Sequence, residues 1–264
     1  MTAENAKQYD NSRKLAARAR LHKYTVAEAP WFTWVAQSLR LDAGARVLDV
    51  GCGPGWFWAA AVDVLPAELD LTLADLSPGM VQEAIERCKS LPPFHSVSGQ
   101  QADAAALPFR DDSFDAAVAM HMLYHVAEPE VAIREMFRIL KPGGTLAVTT
   151  NGTGNMREIY ELTAVFGSAP TDPSAATFSY DTAEAMMRKQ FGNQTMSQHP
   201  ATLQVTSRED VFSALTSYPP GENASEAQLV AFRAAIDRAF EQGNGTLRVQ
   251  KQSGLFLSRE QAEA

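Results

Sequence analysis

The segment Val47-Leu-Asp-Val-Gly-Cys-Gly-Pro-Gly55 constrains this chain more than any other. A short apolar strand runs straight into glycines at alternate positions, and an apolar, helix-like segment begins at Trp56. Strand, glycine turn and helix in succession bring backbone N–H groups and a helix start close to a ligand, with no Cβ atoms in the way. The unit predicts a site for a nucleotide-like cofactor at the end of a strand.

Spacing bears on which cofactor that is. A dinucleotide fingerprint reads Gly-x-Gly-x-x-Gly/Ala, and its last residue stays small so that helix and strand can pack closely. Counted from Gly51, that place is held by Trp56, and Gly55 falls one position early. Trp56 therefore weighs against an NAD-type oxidoreductase. Asp75 closes the next apolar run, Leu69–Ala74, where a carboxylate can accept both ribose hydroxyls. Asp103 follows the third strand and is placed to receive an adenine amino group. The plainer reading of both is a solvated carboxylate at a strand end.

The rest of the first half keeps an α/β rhythm. Arg46–Val50, Leu69–Ala74, His95–Gln101, Phe114–Met120 and Thr145–Thr149 read as strands. Between them lie helical patterns at Trp56–Leu65, from Ser77-Pro78 to Lys89, and at Pro129–Leu140. Alternation of this kind predicts an α/β fold, a doubly wound and mostly parallel sheet. Before it, residues 5–25 and Trp31–Arg40 read as N-terminal helices. After it, Met156–Phe166 and Asp181–Phe191 read as helices around a loop at 168–177. Met196–Val205 is weakly strand-like, a long helix carries Leu229, Phe232, Ile236 and Phe240, and a last strand spans Thr246–Leu257. The expected organisation is a cap of N-terminal helices over residues 1–44, a cofactor-binding core over 45–150, and a helical insertion with the last sheet strands over 151–264. All three form one continuous catalytic domain.

Composition narrows the function class. The net charge of −8 argues against nucleic acid as a partner, because a phosphate backbone needs a basic surface. No apolar run is long enough to span a bilayer, and the start lacks the layout of a secretory signal. Two cysteines, Cys52 and Cys88, indicate no disulfide framework, which points to a reducing, cytoplasmic location. The N-terminal helices offer a surface for a homodimer.

Taken in order, the glycine loop, Asp75, Asp103, Phe114-Asp-Ala-Ala-Val-Ala-Met120 and Leu140-Lys-Pro-Gly-Gly144 resemble the class I SAM-dependent methyltransferases. The likeness is strongest to their bacterial small-molecule branch, which includes ubiquinone/menaquinone-type enzymes. It covers residues from about 45 to 150. It implies a Rossmann-like, seven-stranded sheet and S-adenosyl-L-methionine (SAM) as cofactor, with S-adenosyl-L-homocysteine as product. It sets Gly51, Gly53 and Gly55, with Cys52 among them, against the methionine part of the cofactor, and gives Asp49 the loop or the cofactor ammonium. It further implies Asp75 on the ribose, Leu76 and Met80 flanking the adenine, Asp103 and Ala104 at its edge, and Met120 and His121 near the methionine end. Ala147-Val-Thr-Thr-Asn-Gly152 and the preceding Leu-Tyr-His are similar to methyltransferases of secondary metabolism.

The segment Met120-His-Met-Leu-Tyr-His125 follows a strand at the edge where open α/β sheets bind ligands. His125 is the expected base or acceptor-orienting group, His121 a second candidate and cofactor contact, and Tyr124 a wall of the catalytic site. Histidine titrates near neutrality, which suits proton transfer. The His-x-x-x-His spacing also admits a metal, but no third ligand accompanies it, so no metal is expected. Tyr24, Trp31, Asn151 and Tyr160 are the main candidates for the acceptor pocket. Tyr9, Arg13, His22, Trp34, Met156 and Arg157 are further ones, although aromatic stripes are more often core. Their abundance suggests a small apolar or aromatic acceptor. Two functions remain open: methyl transfer to oxygen, nitrogen or carbon of such a molecule, or a SAM-binding scaffold or regulator that has no transfer activity.

Overall fold

The computed structural model describes residues 20–217 and 220–260. Most of the expected helix over residues 5–25, with Tyr9, Arg13 and the dimer surface, lies outside them. Its end, Arg20–Tyr24, forms a 3-10 turn that leads into β1 (Thr25–Val26) and α1 (Trp31–Leu39).

The core follows the predicted rhythm closely. Its elements are β2 (Arg46–Val50), α2 (Trp56–Ala60), β3 (Leu69–Asp75), α3 (Pro78–Cys88), β4 (Phe94–Gln101), β5 (Phe114–Met120), α4 (Pro129–Ile139) and β6 (Leu140–Asn151). The segment after β6 adds α5 (Arg157–Tyr160), α6 (Pro173–Thr177), α7 (Tyr180–Phe191), β7 (Thr195–Gln198), β8 (Thr202–Val205), α8 (Arg208–Leu215), α9 (Glu226–Gln242), β9 (Leu247–Gln250) and β10 (Ser253–Arg259). Seven strands make one sheet in the order β4-β3-β2-β5-β6-β10-β7. The first five run parallel, and β10 lies antiparallel to both β6 and β7. Winding reverses between β2 and β5, and the crevice at such a switch point opens at the carboxyl ends of the strands.

Alternate residues of each strand feed two apolar layers, as a period of two requires. Val47, Leu71 and Val118 pack with Val35, Trp58, Ala84 and Cys88 on one face. Leu48, Ala117, Ala119 and Val148 pack with Ile133, Met136, Met187 and Phe256 on the other. Asp115 ties the strand starts together: it accepts from the Arg46 N–H at 2.8 Å and pairs with Lys141 at 2.7 Å.

The differences from expectation concentrate after residue 150. β1, β8 and β9 form a separate three-stranded sheet with its own core, which includes Leu203, Val205, Phe232, Ile236, Phe240 and Val249. The expected strand Thr246–Leu257 is therefore two strands that serve different sheets, and the chain changes sheets at Lys251-Gln252. Met196–Val205 divides likewise, at His199-Pro200, so the insertion is α+β rather than helical. α8 was not expected; Ser207 caps it by accepting from the Asp210 N–H. The helix expected over Trp56–Leu65 stops at Ala60 and continues as a 3-10 turn, Val62–Val64. Two β-branched valines around an aspartate form a poor helical continuation.

Gly55 has a role that its early position concealed. Its φ is +74°, and a Cβ there would lie 3.0 Å from the Ala84 Cα and 3.2 Å from the Cys88 Sγ. It supplies the close helix contact that the dinucleotide pattern assigns one residue later, so Trp56 loses much of its force as a discriminator. Gly55→Ala combines a left-handed backbone, which costs about 1–2 kcal/mol for an alanine, with a clash against α3. A urea titration should show the midpoint falling by at least that equivalent with little change in slope. An unchanged midpoint would contradict the packing role.

Candidate cofactor and acceptor site

The glycine loop consumes its own donors. The Gly51 and Cys52 N–H groups both bond to the Ala74 carbonyl, at 2.7 and 3.0 Å, and the Gly55 N–H bonds to the Cys52 carbonyl at 3.1 Å. The Gly53 N–H donates to Asp75 Oδ2 at 3.0 Å, and Pro54 has no N–H to give. The glycine-loop part of the expected N–H display is thus spent within the protein, which leaves the start of α2 as the part of that unit facing a ligand in the sequence reading. A phosphate cradle needs free donors, and this loop keeps none. It presents carboxylates instead.

Asp49 lies near the end of β2, 1% exposed. Trp58 Nε1 donates to its Oδ2 at 2.7 Å, while its Oδ1 is buried without a partner. Burial pushes the carboxyl up to about 7, against the Trp58 bond, and the Asp75 charge adds to the rise. Asp75 binds the Ser77 N–H through Oδ1 at 2.9 Å as well as Gly53, and burial raises it too. An ionised carboxylate has about four acceptor sites, so Asp75 retains acceptor capacity. An orphaned carboxylate oxygen, a second carboxylate with spare acceptor capacity, and Gly53, beside which a Cβ would meet nothing within 4 Å, suit a ligand bearing an ammonium and hydroxyls. They oppose a pyrophosphate.

Around the expected adenine position the residues separate. Leu76 is 39% exposed and offers an apolar surface, whereas Met80 is 1% exposed and has almost none to offer. Met80 is a packing residue under α3, contrary to expectation. Asp103 Oδ1 holds the Ala105 N–H at 2.9 Å, which shapes the turn that buries Ala104.

At the end of β5, His121 takes a left-handed φ of +50°, uncommon for a side-chain-bearing residue. Its N–H bonds to the carbonyl and Oγ1 of Thr149 in β6, at 3.2 and 3.0 Å. The next side chain, Met122, lies over Gly51. The imidazole lies 5.5 Å from the Trp31 ring, which stacks on Trp34 at 5.6 Å. Buried His199 sits 5.3 Å from Trp31 and 5.2 Å from Trp34, and bonds to the Ala29 carbonyl at 2.9 Å. α1 thus brings an aromatic wall to the carboxyl edge of the sheet.

The residue that sequence reasoning missed is Lys251. It is 7% exposed, at the crossing between β9 and β10, and its Nζ lies 3.2 Å from His22 Nδ1. Burial lowers its pKa to about 8. Burial also lowers His22 to about 3 and His121 to about 4, with the Lys251 charge the second cause in each. Both imidazoles are neutral at physiological pH. No sequence pattern marks Lys251, since a single lysine in a strand pattern reads as surface.

Other candidates are committed elsewhere. The Tyr24 hydroxyl donates to Asp210 at 2.6 Å and joins the cap to the start of α8, so Tyr24 is a docking residue rather than a pocket wall. Asn151 donates to Asp172 at 3.0 Å and accepts from Ser253 at 3.2 Å. Asp172 also accepts from Asn155 and Ser174, which pins the α6 start to the β6 end. Tyr124 and His125 pack edge-on at 4.5 Å within a 3-10 turn, so His121 and His125 share no helical face. Tyr160 is half-buried at the end of α5.

The methyltransferase-domain family model matches residues 48–148. Over that segment the sequence fits a methyltransferase domain, and the relatives it resembles there are methyltransferases. The ubiquinone/menaquinone biosynthesis C-methyltransferase UbiE of Pasteurella multocida (strain Pm70) is 37% identical over 118 residues, 45% of this chain and 44% of the relative. The demethylmenaquinone methyltransferase of Renibacterium salmoninarum is 34% identical over 164 residues, 59% of this chain and 65% of the relative. Both matches span less than two thirds of the relative's length. Among solved structures, a putative methyltransferase (BH2331) from Bacillus halodurans C-125 aligns with a TM-score of 0.60 at 16% identity, over 89% of this chain and 100% of that one. The [4+2]-cyclase SpnF aligns with a TM-score of 0.59 at 21% identity, over 98% and 96%. These two likenesses are of fold. SAM, the cofactor of such methyltransferases, carries an ammonium and ribose hydroxyls, the groups that an acceptor-lined loop can take.

An ammonium placed at Asp49 would pull its carboxyl well below about 7. Binding of S-adenosylhomocysteine at about pH 6, where the free carboxyl is mostly protonated, should then release a proton, and affinity should rise as pH approaches neutrality. Calorimetry in two buffers of different ionisation enthalpy measures the release, and Asp49→Asn should abolish it. A release that survives in Asp49→Asn would contradict the assignment.

Proposed function

We propose that this chain transfers a methyl group from SAM to a small apolar or aromatic acceptor, at an oxygen, nitrogen or carbon atom. The observation that carries the reading is the loop whose own donors are spent and whose two carboxylates remain, beside an aromatic cleft at the same sheet edge. The match of residues 48–148 to the methyltransferase-domain model supports methyl transfer as the reaction. When bound, the cofactor supplies a methyl group already activated by a sulfonium charge, so the protein's part is alignment and close approach, which can be worth several kcal/mol.

Asp49 holds the ammonium in this reading, Asp75 the ribose hydroxyls, and Leu76, Asp103 and Ala104 surround the adenine, while Gly51, Cys52 and Gly53 shape the turn around the methionine part. Trp31 and Trp34 give a flat apolar wall for the acceptor. His121 and Met120, at the end of β5, stand between cofactor and acceptor, and the neutral imidazole orients the acceptor or takes its proton. His125 and Tyr124 form the neighbouring wall. We place the enzyme in secondary-metabolite biosynthesis, on the likeness of Ala147–Gly152 to such methyltransferases. Its two cysteines are buried and unbridged, which suits a reducing cytoplasm.

Incubation with methyl-labelled SAM and a panel of small aromatic acceptors should give a labelled product. Binding of S-adenosylhomocysteine with no transfer to any acceptor would favour the non-methylating scaffold. On the acceptor so identified, His121→Ala should lower kcat/KM on the order of 100-fold, and His125→Ala by less than about tenfold. The reverse order would return the central role to His125.

A further inference from the structure

Lys251 is a buried ammonium, and among the described residues it forms no ion pair with a carboxylate. A buried charge normally has a partner, and removing one leaves a strong local field. Its neighbours cannot neutralise it. His22 accepts the Nζ–H bond through Nδ1 at 3.2 Å, which leaves the His22 proton on Nε2. His121 and His199 also feel the lysine charge, after the larger effect of burial, and all three rings are held neutral. Asp172, the carboxylate whose charge acts on His121, already accepts four hydrogen bonds from Asn151, Asn155 and Ser174.

The position is built rather than incidental. The Gly152 N–H donates to the Gln252 carbonyl at 2.8 Å and the Met156 N–H to the Gln250 carbonyl at 2.9 Å, while the Gln252 N–H donates to Asn155 Oδ1 at 3.0 Å. These bonds lace the chain on both sides of Lys251 to the segment that follows β6. Ser253 returns a bond to Asn151 at 3.2 Å. The lysine is therefore held at the carboxyl edge of the sheet, where its charge acts on His121, the imidazole that the Trp31 ring contacts.

We propose that Lys251, with His22 and His121 beside it, forms an oxyanion site that takes the acceptor through an ionised hydroxyl, a phenolate or an enolate. The ligand is aromatic or conjugated because Trp31 and Trp34 pack on His121 and His199, the imidazoles that feel the lysine charge. It is a single oxyanion rather than a carboxylate because the site offers one ammonium and no guanidinium fork, the usual match for a carboxylate. The hydroxyl proton leaves to water before or as the anion enters, so the site selects the nucleophilic form and no side chain must act as base. An acceptor of this kind presents its oxygen, or the ring carbon activated by it, as the nucleophile. The proposal rests on the methyltransferase reading for its purpose, but not for its chemistry.

The test uses 4-nitrophenol, whose ionised form is read by its visible absorbance, with the full-length protein loaded with S-adenosylhomocysteine. The wild type should bind it as the phenolate and lower its apparent pKa by about 1–3 units, as an opposite charge within hydrogen-bonding distance does. Lys251→Met should abolish that shift. Binding as the neutral phenol, no binding at all, or a shift retained in Lys251→Met would overturn the site. Benzoate displacing the nitrophenolate at a lower concentration than unlabelled phenols do would overturn the oxyanion class in favour of a carboxylate. If Lys251→Met fails to fold, the wild-type spectrum alone decides between phenolate and phenol. Titration of the same protein with S-adenosylhomocysteine keeps the two readings apart: phenolate binding without it would sink the methyltransferase reading and leave the Lys251 site standing.

Discussion

The rest of the site depends on where the backbone donors of the glycine loop go. A buried N–H must be paired, and this loop pairs all of its own: two with the Ala74 carbonyl, one with Asp75 and one within the turn. The ends of β2 and β3 are therefore sewn together before any ligand arrives. What faces outward is inverted relative to a phosphate cradle. Asp49 keeps an unpartnered oxygen and Asp75 spare acceptor capacity, so the ligand must supply the donors and the positive charge. That single inversion separates a SAM site from a dinucleotide site more firmly than the spacing of the glycines does.

The acceptor side follows from topology. β5 ends in His121, β6 in Asn151, and the cap returns the chain to the same edge twice, once through α1 with its tryptophans and once through the break between β9 and β10. The chain passes between the two sheets at His199-Pro200 and again at Gln250–Ser253, and Lys251 sits at the second crossing. The small sheet gives the cap its own apolar core, and its last strand hands the lysine directly to the main sheet. In the proposed reading the cofactor and acceptor sides have opposite polarity: carboxylates Asp49 and Asp75 on one, the Lys251 ammonium among neutral imidazoles on the other. Opposed charges of this kind suit a cationic donor meeting an anionic or electron-rich acceptor.

Much of this was legible in the sequence, and the exceptions share a cause. Strands such as Phe114–Met120 and Leu69–Asp75 were readable because continuous apolar runs between turn signals admit few alternatives. Ser77-Pro78 as a helix start was readable because capping is local. Partnerships across sequence were not. The Gly53 N–H is taken by a carboxylate 22 positions away, and Gly55 is needed by Ala84 and Cys88 on a later helix. Met80 looked like an adenine contact by position, yet a methionine at the first turn of α3 found more to bury against in the core. Lys251 was invisible because a strand pattern continues through it; only the change of sheet at that residue turns a surface-like lysine inward.

The central claim is that the loop is built for a cation and hydroxyls rather than for phosphates. Calorimetric titration of the full chain with S-adenosylhomocysteine and, separately, with NAD tests it most directly. The account predicts saturable binding of S-adenosylhomocysteine, weakened by Asp75→Asn, and no binding of NAD. Binding of NAD, or no binding of S-adenosylhomocysteine, would contradict it.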